Sequence, residues 1–264
     1  MSRPPIWAVD PPGARKPRFT REQIAAAALA LADSEGVEAL SMRRIADALG
    51  AGTMTLYHYI RTKDDLLTLI DDALMAEVVA RSMPLPEGWR AGVGRLARAS
   101  RDTFVRHPWA LHALQGARIG PNGLRHVEQS LAAVESLRSD LATKLEVLSI
   151  VDDYVFGHVL RVNEATRTGP PDIRTARMIN VFTSEQLRSG EFPRLQALIG
   201  DDEPMTAFTR VADHMMGDHR FDLGLEALLD GLTARLGLRG QNEPPRAERA
   251  RPRRRARSRR GFPR

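Results

Sequence analysis

The chain has 264 residues, a formal charge of +6 and no cysteine. That length allows one or two domains with a sizeable core. The missing thiols exclude disulfides and thiolate chemistry, and the longest apolar run, Ala25 to Ala32, is too short to cross a bilayer. The N-terminus has no apolar signal-peptide core, so a cytoplasmic protein with no membrane partner is expected. The charge is unevenly placed. Residues 241–264 hold ten Arg and two Glu, a local +8, and residues 1–18 carry +3, which leaves −5 for the middle of the chain. Basicity therefore belongs to the tails, and the whole-chain charge says little about the folded part.

In chain order, residues 1–18 carry five prolines and no periodicity and read as a disordered basic tail. Thr20 and Gln23 form a capping box, with Phe19 and Ile24 at the flanking staple positions, and open a first helix that runs to Gly36. Ser41 caps a second helix ended by Gly50, Thr53 to Ile60 is a third, and Thr62 with Asp65 opens a fourth with Leu66, Leu67, Ile70, Leu74 and Val78 on its buried side. Pro84, Pro86 and Gly88 mark a break. Helices are then expected near Trp89–Arg106, Pro108–Gln115, Pro121–Leu137, Thr143–Thr168, Asp172–Ser189, Pro204–Met216 and Asp222–Leu236, with a loop at Thr168–Asp172. Period-two clusters of Val, Ile and aromatic residues are absent, so the fold is expected to be all-α. The expected division is 1–18 tail, 19–66 three-helix helix-turn-helix domain, 67–238 larger helical domain and 239–264 disordered Arg-rich tail.

The stretch Ser41–Lys63 is the most specific. A helix-turn-helix needs a small residue where its helices cross, a tight turn, and a second helix without bulky outward apolar groups. Ala46 and Gly50 meet the first two needs, and Ile45, Leu49 and Leu56 form the inner face. Thr53, Met54, Thr55, Tyr57 and His58 remain outward, where hydroxyls and a ring nitrogen can bond base edges or phosphates and a thioether can pack on a thymine methyl.

The ordered set Phe19-Thr-Arg-Glu-Gln-Ile24, Gly36, Ser41-Met-Arg-Arg-Ile-Ala46, Leu49-Gly50, Thr55-Leu-Tyr-His-Tyr-Ile60 and Lys63-Asp-Asp-Leu-Leu67 resembles the tetracycline-repressor (TetR) family. Arg106-His-Pro-Trp109, Gly120-Pro-Asn-Gly-Leu124, Asp153-Tyr-Val-Phe-Gly157 and the segment Phe221 to Gly231 resemble the C-terminal domain of the branch nearest the tetracycline repressor itself. The resemblance implies an all-helical homodimer that binds double-stranded DNA at a near-palindromic operator and is released by a small-molecule effector. It assigns Arg43 to a DNA backbone or base contact, Thr53, Met54, Thr55, Tyr57 and His58 to the recognition helix, and Lys63 to a phosphate. Tyr59 stands where a partly buried His or Phe is usual, and Gly52 departs from a bulkier polar residue.

In the larger domain Leu145, Leu148, Val155, Val159 and Val162 follow a 3-4 spacing into which Asp152 falls. Val147, Val151, Tyr154 and His158 make a second row, and Leu225, Leu228, Leu229, Leu232 and Leu236 line the last helix, with Gly224 and Gly231 allowing close approach. By resemblance these two helices form the dimer interface. Trp109, His112, Gln115, Asp152 and His158 are candidate effector contacts. His107, His112, His158, His214 and His219 lack a metal-ligand spacing, so neither metal nor cofactor is expected. Two alternatives stand beside the repressor. One is an architectural, ligand-independent DNA binder dominated by the Arg tail. The other is an all-helical enzyme, against which stands the lack of GxSxG, HExxH and phosphate-loop motifs.

Overall fold

The computed structural model describes residues 6–8, 18–114 and 119–237. Among these there are twelve α-helices and no strand. They are α1 Arg21–Glu35, α2 Met42–Ala48, α3 Thr53–Tyr57, α4 Lys63–Ser82, α5 Trp89–Arg106, α6 Ala110–Ala113, α7 Pro121–Ala133, α8 Leu141–Thr168, α9 Ile173–Leu187, α10 Pro193–Ile199, α11 Pro204–Met216 and α12 Asp218–Leu236.

α1, α2 and α4 begin at side-chain caps that the local sequence supplies. The Gln23 N–H donates to Thr20 Oγ1 (3.2 Å) and the Thr20 N–H to Gln23 Oε1 (2.9 Å), closing a reciprocal cap. Ser41 Oγ accepts the Arg44 N–H, and Thr62 Oγ1 accepts the Asp65 N–H at 3.0 Å. The Asp65 carboxylate does not complete a second box; it receives the Arg61 N–H and guanidinium instead. Gly50 sits at φ 61°, the left-handed turn between α2 and α3.

Two hydrophobic cores result. One gathers Ile24, Ala28, Ile45, Ala46, Leu56, Tyr59, Ile60, Leu66, Leu69 and Ile70 from α1–α4. The other gathers Leu74 with residues of α5, α7, α8 and α12. Because α4 continues without a break to Ser82, the helix entering the first core is also a wall of the second.

Several expectations change. Ile6, inside the segment expected to be tail, is 2 % exposed and packs in the first core, and the neighbouring Trp7 lies under the Arg21 guanidinium at 5.6 Å. Burying one isoleucine and part of an indole gains enough to hold a short proline-flanked turn. The expected helix Pro108–Gln115 shrinks to Ala110–Ala113, while Gln115 and residues 239–264 lie outside the described residues. Pro193–Ile199, not expected, is a short helix with Pro at its first turn. On α8 the buried row is Val147, Val151, Val155, His158 and Val159, so Leu145 and Asp152 face outward. The helix is apolar on more than one side, and spacing alone cannot choose between its faces.

α4 meets the start of α7 through a buried carboxylate. The residue preceding α7, Gly120, has no side chain to cap it. Asp72 on α4 does so across the packing seam, accepting the Asn122 N–H at 2.7 Å, Asn122 Nδ2 at 2.8 Å and the Gly123 N–H at 3.2 Å. A Cβ at Gly120 would come within 2.3 Å of Asp72 Oδ1, so the close approach requires glycine there. The helix dipole and three donors compensate the desolvated charge.

Asp72→Ala leaves those donors unmet, and we expect a loss of about 2–3 kcal/mol in urea denaturation. The adjacent Asp71 has no such compensation. Burial, then the neighbouring Asp72, push its carboxyl up to about 6. The native state therefore keeps this proton to about pH 6, whereas the unfolded chain releases it near pH 4. Stability should fall as pH rises through that window. Asp71→Asn should flatten the decline and add about 1–2 kcal/mol at pH 7 after allowance for partial exposure, read from denaturation midpoints at pH 4, 5, 6 and 7.

Candidate nucleic-acid interface

The second helix of the helix-turn-helix presents the face expected of it. Leu56 is fully buried, which turns Met54 (74 % exposed) and Tyr57 (48 % exposed) outward together with His58. Thr53 and Thr55 are half-buried beside them. Tyr59 belongs to the core, packed edge-on against Phe19 at 6.4 Å. Gly52 precedes α3 and offers no side-chain cap, so only its carbonyl serves the first turn, accepting the Thr55 N–H at 2.9 Å.

Beside this face lies a groove of about 290 Å³, lined by Ser41 and Met42 from the start of α2, Thr62 and Lys63 from the start of α4, and Tyr57 between them. Two helix N-termini thus open on the same concavity as a phenol and a lysine. Amide dipoles and an ammonium converge there, a setting that suits phosphate oxygens. The cations divide sharply. Arg44 pairs with Glu35, and Arg18 donates to the Gly50 carbonyl at 2.8 Å. Lys63 is exposed with no partner among the described residues, and Arg43 only brushes Asp47 at 4.0 Å. The structure thus brings Tyr57 and Lys63 to one groove and leaves Arg43, Met54 and His58 exposed, with Thr53 and Thr55 half-buried on the same short helix as Met54.

The candidate effector contacts are not gathered in this way. The Trp109 indole donates to Asp33 Oδ1 at 2.9 Å, which turns it toward α1. His112 is exposed on α6, and Asp152 is exposed on α8. His158 is buried, edge-on to Phe221 at 4.9 Å. Burial and then Arg161 and Arg101 hold its imidazole below the usual range, against an opposing pull from Asp218.

Sequence reasoning missed the seam between the two domains. Asp33, near the end of α1, takes His107 Nδ1 at 2.7 Å as well as the Trp109 indole. His107 is 5 % exposed, and its Nε2 lies 3.5 Å from Glu77 on α4 without forming a hydrogen bond. Arg106 pairs with the same Glu77. One corner of the chain, Arg106 to Trp109, is thereby tied to both α1 and α4. Among the described residues no cluster of His, Asp or Glu could hold a metal, and no helix is long and apolar enough to cross a membrane.

Two family models cover most of this architecture. Residues 24–70 match bacterial regulatory proteins of the tetR family, and residues 83–236 match the tetracyclin repressor-like C-terminal domain. The HTH-type transcriptional repressor DrrR1 of Streptomyces coeruleorubidus is 32 % identical over 235 residues, covering 87 % of this chain and 83 % of that one. The class E tetracycline repressor protein of Escherichia coli is 26 % identical over 179 residues, 64 % of this chain and 85 % of that one. Among solved structures, the Streptomyces coelicolor TetR family protein ActR in complex with actinorhodin is 26 % identical, with a TM-score of 0.56 over 83 % of this chain and 99 % of that one. Helix order, the helix-turn-helix and both halves of the chain agree: this protein belongs to the TetR family of DNA-binding transcriptional regulators.

Proposed function

We propose that the chain acts in the cytoplasm as a homodimeric repressor that holds a near-palindromic operator and is released by a small-molecule effector. The observation that carries this reading is the exposed hydroxyl, thioether and aromatic face of α3 beside a groove built from two helix N-termini and Lys63. In this reading Met54, Thr53, Thr55 and His58 meet base edges, while Arg43, Tyr57 and Lys63 meet phosphates. The small charge of the folded part makes base contacts and the paired geometry of a dimer weigh more than net attraction.

Dimer formation has a surface to use. Leu145, Phe156 and Leu160 on α8 and Leu223 and Leu236 on α12 are exposed in the single chain. A set of large apolar side chains in this arrangement favours association with a second copy. Repression and small-molecule binding are what the names of the relatives carry, since one is a transcriptional repressor and ActR was solved in complex with actinorhodin. The tie from Asp33 to His107 and Trp109 supplies a physical route between the domains. Moving the α5–α6 corner must either carry α1 with it or break two hydrogen bonds to one carboxylate. A coupling of about 1–3 kcal/mol suffices for about 5–150-fold control.

The operator can be defined by selecting bound DNA from a random pool. Footprinting should then protect two half-sites about one helical turn apart, with two protomers per duplex; an asymmetric footprint with one protomer would reject the dimeric reading. On that operator Lys63→Ala should weaken specific and nonspecific DNA alike by about 3–10-fold and lower the salt slope by about one. Met54→Ala should leave the salt slope unchanged and relax preference at one position in each half-site, read by fluorescence anisotropy on single-base variants.

A further inference from the structure

Apart from the DNA-facing groove, a cavity of about 350 Å³ lies where α5, α8 and the α11–α12 junction meet. Its walls combine two buried nitrogen groups with apolar side chains, Val162 and Met216 among them. Arg101 is held rigidly. Its Nε and Nη2 both donate to Asp102 Oδ1, at 2.8 and 2.7 Å, and its guanidinium stacks on the Phe221 ring at 4.6 Å. The side chain is only 13 % exposed. The remaining edge makes no hydrogen bond: Nη1 is buried, and it has only a long ion pair, 3.8 Å, with the solvated Asp218 carboxylate.

His158, on the same wall, is buried and has no hydrogen-bond partner among the described residues. Arg81 and Arg106 complete the rim, the latter paired with Glu77. Asp102 is already neutralised by Arg101, and Asp218 is largely solvated. Burial first, and then Arg161, Arg101 and Arg220 against Asp218, hold the His158 imidazole below its usual range. An orphaned buried guanidinium edge costs free energy unless an acceptor reaches it. A carboxylate fits that edge through charge-assisted hydrogen bonds. The apolar wall asks for a hydrocarbon body behind the acid.

We propose that this cavity binds an amphipathic monocarboxylate, its acid group on Arg101 Nη1 and His158 and its aryl or alkyl body against Val162 and Met216. The biological meaning rests on the effector-responsive reading above; binding itself does not, because it can be measured on the full-length protein without DNA. The probe is 4-fluorobenzoate followed by 19F NMR, with 4-fluorobenzamide as the neutral shape match. The benzoate should bind in the millimolar range or better and the benzamide at least about tenfold more weakly. Arg101→Gln should lower benzoate affinity about tenfold. Because Arg101 also supports Phe221, His158→Phe, which keeps a ring against that residue, serves as a second variant and should weaken the benzoate as well. Circular dichroism checks that each variant is folded.

Equal binding of acid and amide, no binding of the acid at 20 mM, on the order of the weakest useful affinity, or unchanged affinity in both folded variants would overturn the proposal. Displacement of the benzoate by equimolar inorganic phosphate would overturn the class of ligand, since the apolar wall would then add nothing. Binding without any loss of operator affinity would leave the carboxylate site standing and remove its link to DNA release.

Discussion

Everything in this molecule hangs on the continuity of α4. Lys63, at its first turn, opens on the DNA-facing groove; Leu66, Leu69 and Ile70 lie in the first core; Leu74 lies in the second. Between Lys63 and Ser82 there is neither proline nor glycine, and sharp helix kinks nearly always need one of these, a bulge or an inserted group. The helix therefore behaves as a rod whose two ends lie in different cores. Whatever shifts its C-terminal half relative to α5 and α7 must either move the N-terminal half or lose packing that interiors give up only at a cost. Asp72 fixes the rod to α7 with three hydrogen bonds, which makes α7 the element most directly tied to its position.

The Asp33 seam adds a second tie that does not run through α4. A single carboxylate oxygen receives an imidazole and an indole from the α5–α6 corner. Glu77 faces the other imidazole nitrogen from α4. The corner thus reports to both helices that position the helix-turn-helix. A double connection of this type limits the ways in which the small domain can rotate: a hinge at α4 alone would stretch the contacts at Asp33. Two discrete arrangements, with the seam made or broken, are the kind of bistable element through which coupling travels.

Signals within a few residues of each other were legible before the structure. The Thr20–Gln23 box, the Ser41 and Thr62 caps, the Gly50 turn and the outward face from Thr53 to His58 all depend on neighbours no more than about two turns apart. The seam and the α7 cap join residues 50 to 76 positions apart, and no local pattern encodes such a pairing. His107 and Trp109 are visible as residues, but their shared partner Asp33 is not. Ile6 was hidden for another reason: its proline-rich surroundings have the composition of a tail, and composition averages away one buried side chain. On α8 the difficulty was degeneracy, because a helix apolar on several sides permits more than one inward row and only the neighbours, α5 and α12, decide.

The charge distribution then takes on a definite meaning. The folded middle of the chain carries about −5, the small domain's Arg44 is already paired with Glu35, and the adjoining Arg18 with the Gly50 carbonyl. A surface of that kind cannot hold DNA by counterion release alone. What it offers is a short set of free polar ends whose positions are set by buried neighbours: Leu56 aims Met54 and Tyr57, and the cap at Thr62 aims Lys63. Affinity must then come from the simultaneous fit of two such faces, so a small change in their separation removes both half-site contacts together. In a more basic domain, residual phosphate attraction would mask that change. The modest charge of this domain is the physical condition under which a small shift of α1 and α4 can decide whether the protein stays on its operator.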